Sequence, residues 1–270
     1  MPAEAAASQA GVAPEAATSQ AGVAAESGAS AAAPASRPTL LGPGEQPPPV
    51  YRTRLPPSRT LTYEVRNGFL RGTGELRWRG ETDRYRLELE ARVAGLTLLR
   101  QSSEGGIDAA GLAPVRFLDR RARRSAQAAN FRRDLGTITF SGPATEWPLL
   151  PGSQDRLSLF IQLAAIAAGE PELRSEGARI VMVVAGARGD AAVWSFRCAG
   201  LESIDTGAGR VRALKFVRDA RSEHDTSAEI WLDPELHYLP AHATLRNSAG
   251  AAEIDLLLQG IGPASTPSTP

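Results

Sequence analysis

A single cysteine, Cys198, occurs in the 270 residues, so no intramolecular disulfide can form and no cysteine-based zinc set exists. It sits in the strand-like string VWSFRCAG, where a buried, inert thiol is the expectation. Lys215 is the only lysine, every other basic side chain being arginine, and histidine occurs only at His224, His237 and His242. No apolar run reaches the ~20 residues of a membrane-spanning helix. The first residues carry neither the basic nor the hydrophobic region of a secretory signal. The formal charge is zero, which gives no general push toward nucleic acid. GxSxG, SxxK and HExxH strings are all missing, so no familiar nucleophile or helical metal site is offered. The His237–His242 pair is spaced i, i+5 around Pro240 and lacks the i, i+4 face such a metal site uses. Gly72-Thr-Gly74 and Gly207-Ala-Gly209 are too short for a dinucleotide fingerprint and read as strand bends or hairpin turns.

What is present divides the chain. Residues 1–50 are dominated by Ala, Pro, Ser and Gly and contain an 11-residue repeat, AEAAASQAGVA followed by PEAATSQAGVA. Such a segment cannot bury enough surface to offset its ordering entropy, and its prolines make it a semi-extended spacer. It holds Glu4, Glu15, Glu26 and Glu45 against Arg37, leaving the remainder at +3. A spacer ordinarily separates two things, so an anchor preceding it is expected. Residues 51–263 read as one β-rich domain, and residues 264–270 as a disordered tail.

Within the domain, QDRLSLFIQLAAIAAG (154–169) predicts a helix, with Ser153 or Asp155 to cap it and Gly169 and Pro171 to end it. Only Asp155, Ser158 and Gln162 line up, at i, i+3 and i+7, as a narrow polar stripe. Leu157, Leu159, Phe160, Ile161, Leu163 and Ile166 point nearly everywhere else. A helix apolar all round must be buried on most sides, and this one is too short to span a bilayer. The rest reads as strands. From 83 to 94, Tyr85, Leu87, Leu89, Ala91 and Val93 alternate with charged residues, giving one core face and one wet face. Leu61, Tyr63 and Val65 repeat the pattern, as do Thr226, Ala228, Ile230 and Leu232, and then Ile254, Leu256 and Leu258. Turn signals fall at 80–83, 105–106, 141–143, 186–190, 205–209 and 247–250. No βαβ rhythm appears, so a parallel sheet is not expected. These parts predict a mainly β fold, in which a curled antiparallel sheet or open half-barrel wraps a central apolar helix.

Two sets of residues stand out as candidates. The stripe of Asp155, Ser158 and Gln162, together with Trp231, would contact a ligand inside the sheet; alternatively the stripe satisfies buried backbone groups. Arg120, Arg121, Arg123 and Arg124 lie in the run RFLDRRARRSAQAANFRRD with Arg132 and Arg133. They suit an anion or partner surface, or else a wet strand face neutralised by Glu88 and Glu90 on a neighbour. A hydrolase working through His224, Asp225 or Glu229 would need two of these in one cleft with Trp231. No catalytic, metal or cofactor site is assigned.

GGIDAAGLAPVRF (105–117), QDRLSLFIQLA (154–164) and AEIWLDPELHYLPAH (228–242) together resemble the proteobacterial family catalogued as domain of unknown function 3108, over residues 51–262. The resemblance implies a periplasmic or membrane-anchored cell-envelope protein, with an N-terminal anchor and an Ala/Pro spacer before the domain. It implies a curled sheet similar to those of lipoprotein carriers, and it brings no catalytic residues. The expected function is therefore a non-catalytic envelope module binding an apolar or amphiphilic ligand within the sheet. The alternative is a scaffold held by the spacer. A lipid, another amphiphile or an envelope protein is the expected partner, and nucleic acid is not.

Overall fold

The computed structural model describes residues 38–68, 70–220, 225–246 and 252–264. Alternating apolar residues build a run of antiparallel hairpins on one side of the chain. These are β1 (Arg59–Asn67), β2 (Leu70–Gly80), β3 (Arg84–Val93), β4 (Leu96–Asp108), β5 (Gly111–Arg121), β6 (Gln127–Arg132), β7 (Thr137–Phe140) and β8 (Trp147–Pro148). A short β9 (Gln154–Asp155) leads into helix α1 (Ser158–Gly169). A second run follows: β10 (Arg179–Ala185), β11 (Ala191–Thr206), β12 (Gly209–Arg218), β13 (Ser227–Asp233), β14 (Leu239–Arg246) and β15 (Ala252–Pro263). β15 pairs with β1, so the two meanders fuse into one sheet ordered β8-β7-β6-β5-β4-β3-β2-β1-β15-β14-β13-β12-β11-β10-β9. Every pairing is antiparallel except β9 with β10.

The sheet curls around α1 without closing. Its core face is set by the period of two: Leu61, Tyr63, Leu76, Trp78, Leu87, Leu89, Phe196, Phe216, Ile230, Leu256 and Leu258 are all buried. Helix residues from Ser158 to Ala167 are buried too, as a helix apolar on all sides requires. The sheet's two ends approach each other without backbone pairing. Trp147 Nε1 donates to Gly189 O (2.9 Å), and Gln154 Nε2 donates to Leu112 O (2.8 Å). The segment before β1 covers part of the helix. Arg54 N donates to Ala165 O (2.9 Å) and Val181 N donates to Tyr51 Oη (2.8 Å). Gly169 permits this contact, because a Cβ there would sit 2.4 Å from Arg52 O. Leu40, inside the expected spacer, also packs half-buried against the core.

The curled antiparallel sheet around one apolar helix agrees with the expectation from patterning. Two local expectations need correction. The helix starts at Ser158, because Gln154 and Asp155 pair with β10. Gly105–Gly106 is no turn but the middle of β4, where a Cβ on Gly105 would lie 2.2 Å from Ala113 O. The turn expected at 247–250 falls outside the described residues.

Candidate functional site

The polar stripe of α1 faces the backbone. Asp155 is fully buried, and its Oδ1 accepts the amide protons of Leu157 and Ser158 (both 2.8 Å). Its Oδ2 accepts from Ser103 Oγ (2.5 Å), which is in turn hydrogen-bonded to Tyr85 Oη (2.7 Å). Burial outweighs these bonds and pushes the Asp155 carboxyl up to about 6. Ser158 Oγ accepts from Asp155 N (2.9 Å). Gln162 spends both ends of its amide on the β4–β5 turn: Oε1 accepts from Leu112 N (2.9 Å), and Nε2 donates to Ala110 O (2.6 Å). Gly111, at φ 98°, makes room for it, since a Cβ there would lie 2.5 Å from Gln162 Oε1. The stripe thus ties the helix to the sheet.

Trp231 is not brought to that stripe. On β13 the core face belongs to Ala228, Ile230 and Leu232, so Trp231 lies on the outer face. There it stacks on His242 with ring centroids 4.4 Å apart and receives Lys215 Nζ 4.6 Å from its centroid. Its Nε1 donates to Glu202 (2.9 Å). Glu229 shares that face and is held by Lys215 (3.0 Å). Asp225 is bound by Arg218, which belongs to the core face with Phe216. Those carboxylates therefore sit on opposite faces of the sheet, and His224 lies outside the described residues. Among the described residues no group of His, Cys, Asp and Glu could hold a metal ion.

Space that the helix leaves unfilled occurs at one end of the curl. All-antiparallel hairpins place the β1–β2, β3–β4 and β5–β6 turns together at this end. Here Val65, Leu89, Ala91, Val93, Leu98, Leu99, Phe160, Leu245 and Ile254 line an apolar recess of about 150 Å³, with Arg66, Arg121, Arg156 and Gln101 among its walls. The core positions of β2 are large lower down, at Leu76 and Trp78, but become Gly72 and Gly74 toward this end, where Val93 and Val65 of the recess wall crowd the places their Cβ atoms would take. Gly74 is paired across the strands with Ala91, another small residue. Asp119, itself buried, accepts from Gln101 Nε2 (3.3 Å) and Arg121 Nε (3.0 Å), holding Arg121 at the mouth. Patterning picked out Arg121 and Phe160. It missed Leu99, Leu245 and Ile254 as a set, because their meeting depends on long-range strand register.

Arg121 also lines a second, open groove with Thr97, Arg100, Arg120, Arg123 and Arg124. The carboxylates expected to neutralise this run are taken by others. Glu88 is held by Arg86 (3.0 Å) and Arg77 (3.9 Å), and Glu90 by Arg92 and Arg100 (both 2.5 Å). Arg120 stands directly opposite Arg100 in the β4–β5 register. The side chains of Arg120, Arg123 and Arg124 have no ion pair among the described residues. Among the described residues, no helix is long and apolar enough to cross a membrane.

No curated protein matches the chain. Among solved structures, the crystal structure of a β-barrel-like protein of domain of unknown function DUF1849 from Brucella abortus is similar. It shares 12% identity and a TM-score of 0.51, covering 79% of this chain and 100% of its own. That is a likeness of fold. The crystal structure of MucB aligns over 78% of this chain and 55% of its own, with 15% identity and a TM-score of 0.28. Residues 60–256 match the family described as "Protein of unknown function (DUF3108)". With most of the domain covered by that match, the chain belongs to the DUF3108 family.

Proposed function

We propose that this domain is a non-catalytic module of the cell envelope that takes the end of an apolar or amphiphilic chain into the open end of its curled sheet. The observation that carries this reading is the recess beside Phe160. It is apolar, it opens to solvent, and it borders arginines at its mouth. At about 150 Å³ it matches the apolar cavities that stay dry and admit a benzene-sized guest. It is smaller than the ~300–1,000 Å³ of a pocket that engulfs a whole small molecule. Its occupant is accordingly the terminal part of an acyl or aryl chain, and the polar remainder lies along Arg121 and Arg156. Arginine suits an acidic head group there, because its planar fork meets carboxylate or phosphate oxygens two at a time.

Native mass spectrometry of the purified protein, followed by titration with dodecanoic acid, tests this. A one-to-one adduct is expected, and Leu99→Trp, which fills the recess from β4, abolishes it while leaving the circular dichroism spectrum unchanged. An adduct that persists undiminished in Leu99→Trp, or no adduct with either protein, overturns the reading.

A further inference from the structure

We propose that the same open end docks on an anionic phospholipid surface, with Leu70 and Leu96 entering the head-group layer and Arg120, Arg123 and Arg124 binding lipid phosphates. From the function proposed above it takes only the position of the opening; its residues are different ones. Antiparallel geometry brings the tips of the β1–β2, β3–β4 and β5–β6 hairpins to one end of the sheet. Leu96 is 69% exposed and Leu70 is 53% exposed, each at a hairpin tip. Isolated exposed leucines are ordinary. Leu96 pairs across its hairpin with Val93, which lines the apolar recess, and Leu70 begins the strand beside it.

Charge complementarity names the occupant. On the neighbouring strands β2 to β4 arginines are matched by carboxylates: Arg77 with Glu75 and Glu88, Arg86 with Glu88 and Glu104, Arg92 and Arg100 with Glu90. Toward this end the carboxylates on β1, on β5 and in the β10–β11 turn are occupied as well. Glu64 holds Arg66 and Arg71, Asp119 holds Arg121, and Asp190 holds Arg156. Arg120, Arg123 and Arg124 have no ion pair among the described residues and, unlike the scattered Arg116, Arg179 and Arg197, are gathered in one groove with Arg100 and Arg121. A surface that combines protruding leucines with uncompensated arginines fits a bilayer interface, where apolar side chains sit at the acyl boundary and guanidinium groups among phosphates. It fits a water-soluble anion poorly, since the leucines would gain nothing.

Sedimentation of the full chain with vesicles tests this, using phosphatidylcholine alone and phosphatidylcholine with one third phosphatidylglycerol. Binding to the anionic vesicles only is expected, weakening as salt screens the arginines. Each basic residue near such a surface is worth about fivefold in partitioning, so R120Q/R123Q/R124Q lowers binding by about 100-fold. The variant R52Q/R84Q/R210Q removes the same charge from solvent-exposed sites away from this end and changes binding by less than about fivefold. L70S/L96S weakens binding to the anionic vesicles. L99W keeps vesicle binding while losing the dodecanoate adduct, so the two proposals fail separately. Equal loss in both arginine triples, equal binding to neutral and anionic vesicles, or no binding at all overturns the proposal. So does a concentration-dependent dimer abolished by L70S/L96S in a protein that ignores vesicles, which would give this end to a second copy of the chain.

Discussion

Replacing Asp155 by asparagine removes a buried charge while keeping the shape that starts the helix. The carboxyl titrates near 3.8 in the unfolded chain and at about 6 in the fold, because burial penalises its charged form. Below about pH 3 both states are protonated. Between about pH 4 and 6 the native state keeps a proton that the unfolded state has lost, so stability falls as pH rises, and above 6 the full cost persists. Two pKa units correspond to about 3 kcal/mol. The asparagine side chain retains an oxygen for the amides of Leu157 and Ser158 and offers its Nδ2 to Ser103, whose hydroxyl is then free to donate to Tyr85. It has no proton to lose. The expected result is a difference in unfolding free energy, wild type minus Asp155→Asn, that drops by about 3 kcal/mol between pH 3 and pH 7. Urea unfolding followed by tryptophan fluorescence measures it. Glu64 and Asp205 are held below their usual range by Arg66 and Arg210. Their contributions run the opposite way, present above the unfolded pKa and lost as pH falls, but they are common to both proteins and cancel. A difference that stays flat across this window refutes the assignment of a protonated, buried Asp155 at mildly acidic pH.

Gln162→Ala leaves Leu112 N and Ala110 O without partners in the interior and should cost about 2–4 kcal/mol in the same unfolding assay; a loss below about 1 kcal/mol would mean water replaces the amide. Gly111→Ala should cost more than Gly95→Ala. Both glycines have positive φ, but a Cβ on Gly111 meets Gln162, whereas nothing lies within 4 Å at Gly95; equal melting temperatures would contradict the packing argument. Tyr51→Phe removes the acceptor for Val181 N and should lower stability by about 1 kcal/mol. It should also speed amide exchange at Val181, which hydrogen exchange reads directly.

Periodicity made the fold legible because both of its elements obey one simple rule each. Strands with one wet face alternate, and the helix that has no wet face must be wrapped; together these leave a curled sheet as the way to cover both. What the sequence did not disclose came from long-range register. Gly105 looks like a turn residue in isolation and becomes an in-strand glycine only because β5 passes 2.2 Å from where its Cβ would be. Trp231 looks like a ligand contact until the bulge-containing pairing of β13 with β14 assigns its face. The arginine run could be seen but not weighed. Whether Glu88 and Glu90 neutralise it depends on which strand flanks them, and β2 and β4 supply Arg77 and Arg100 first.

The three strings that carry the family resemblance turn out to serve the helix. GGIDAAGLAPVRF forms the β4–β5 turn whose backbone receives Gln162 from QDRLSLFIQLA. AEIWLDPELHYLPAH forms β13 and β14, and Pro240 within it accepts a hydrogen bond from Tyr63 Oη of β1 (2.8 Å), joining the two meanders beside the helix. The polar groups of those strings are thereby consumed by internal bonds, at Asp155, Ser158 and Gln162 alike. A side chain already saturated by backbone partners in a dry interior has no capacity left for a ligand unless the helix undocks, and undocking leaves Leu112 N and Ala110 O unpaired at about 1–3 kcal/mol each. Recognition without such a cost must use groups that remain unsatisfied or exposed. Those lie at the opposite end of β4 and β5 from the Gln162 lock, where the recess opens beside Phe160 and Arg123 and Arg124 of the β5–β6 turn have no ion pair among the described residues.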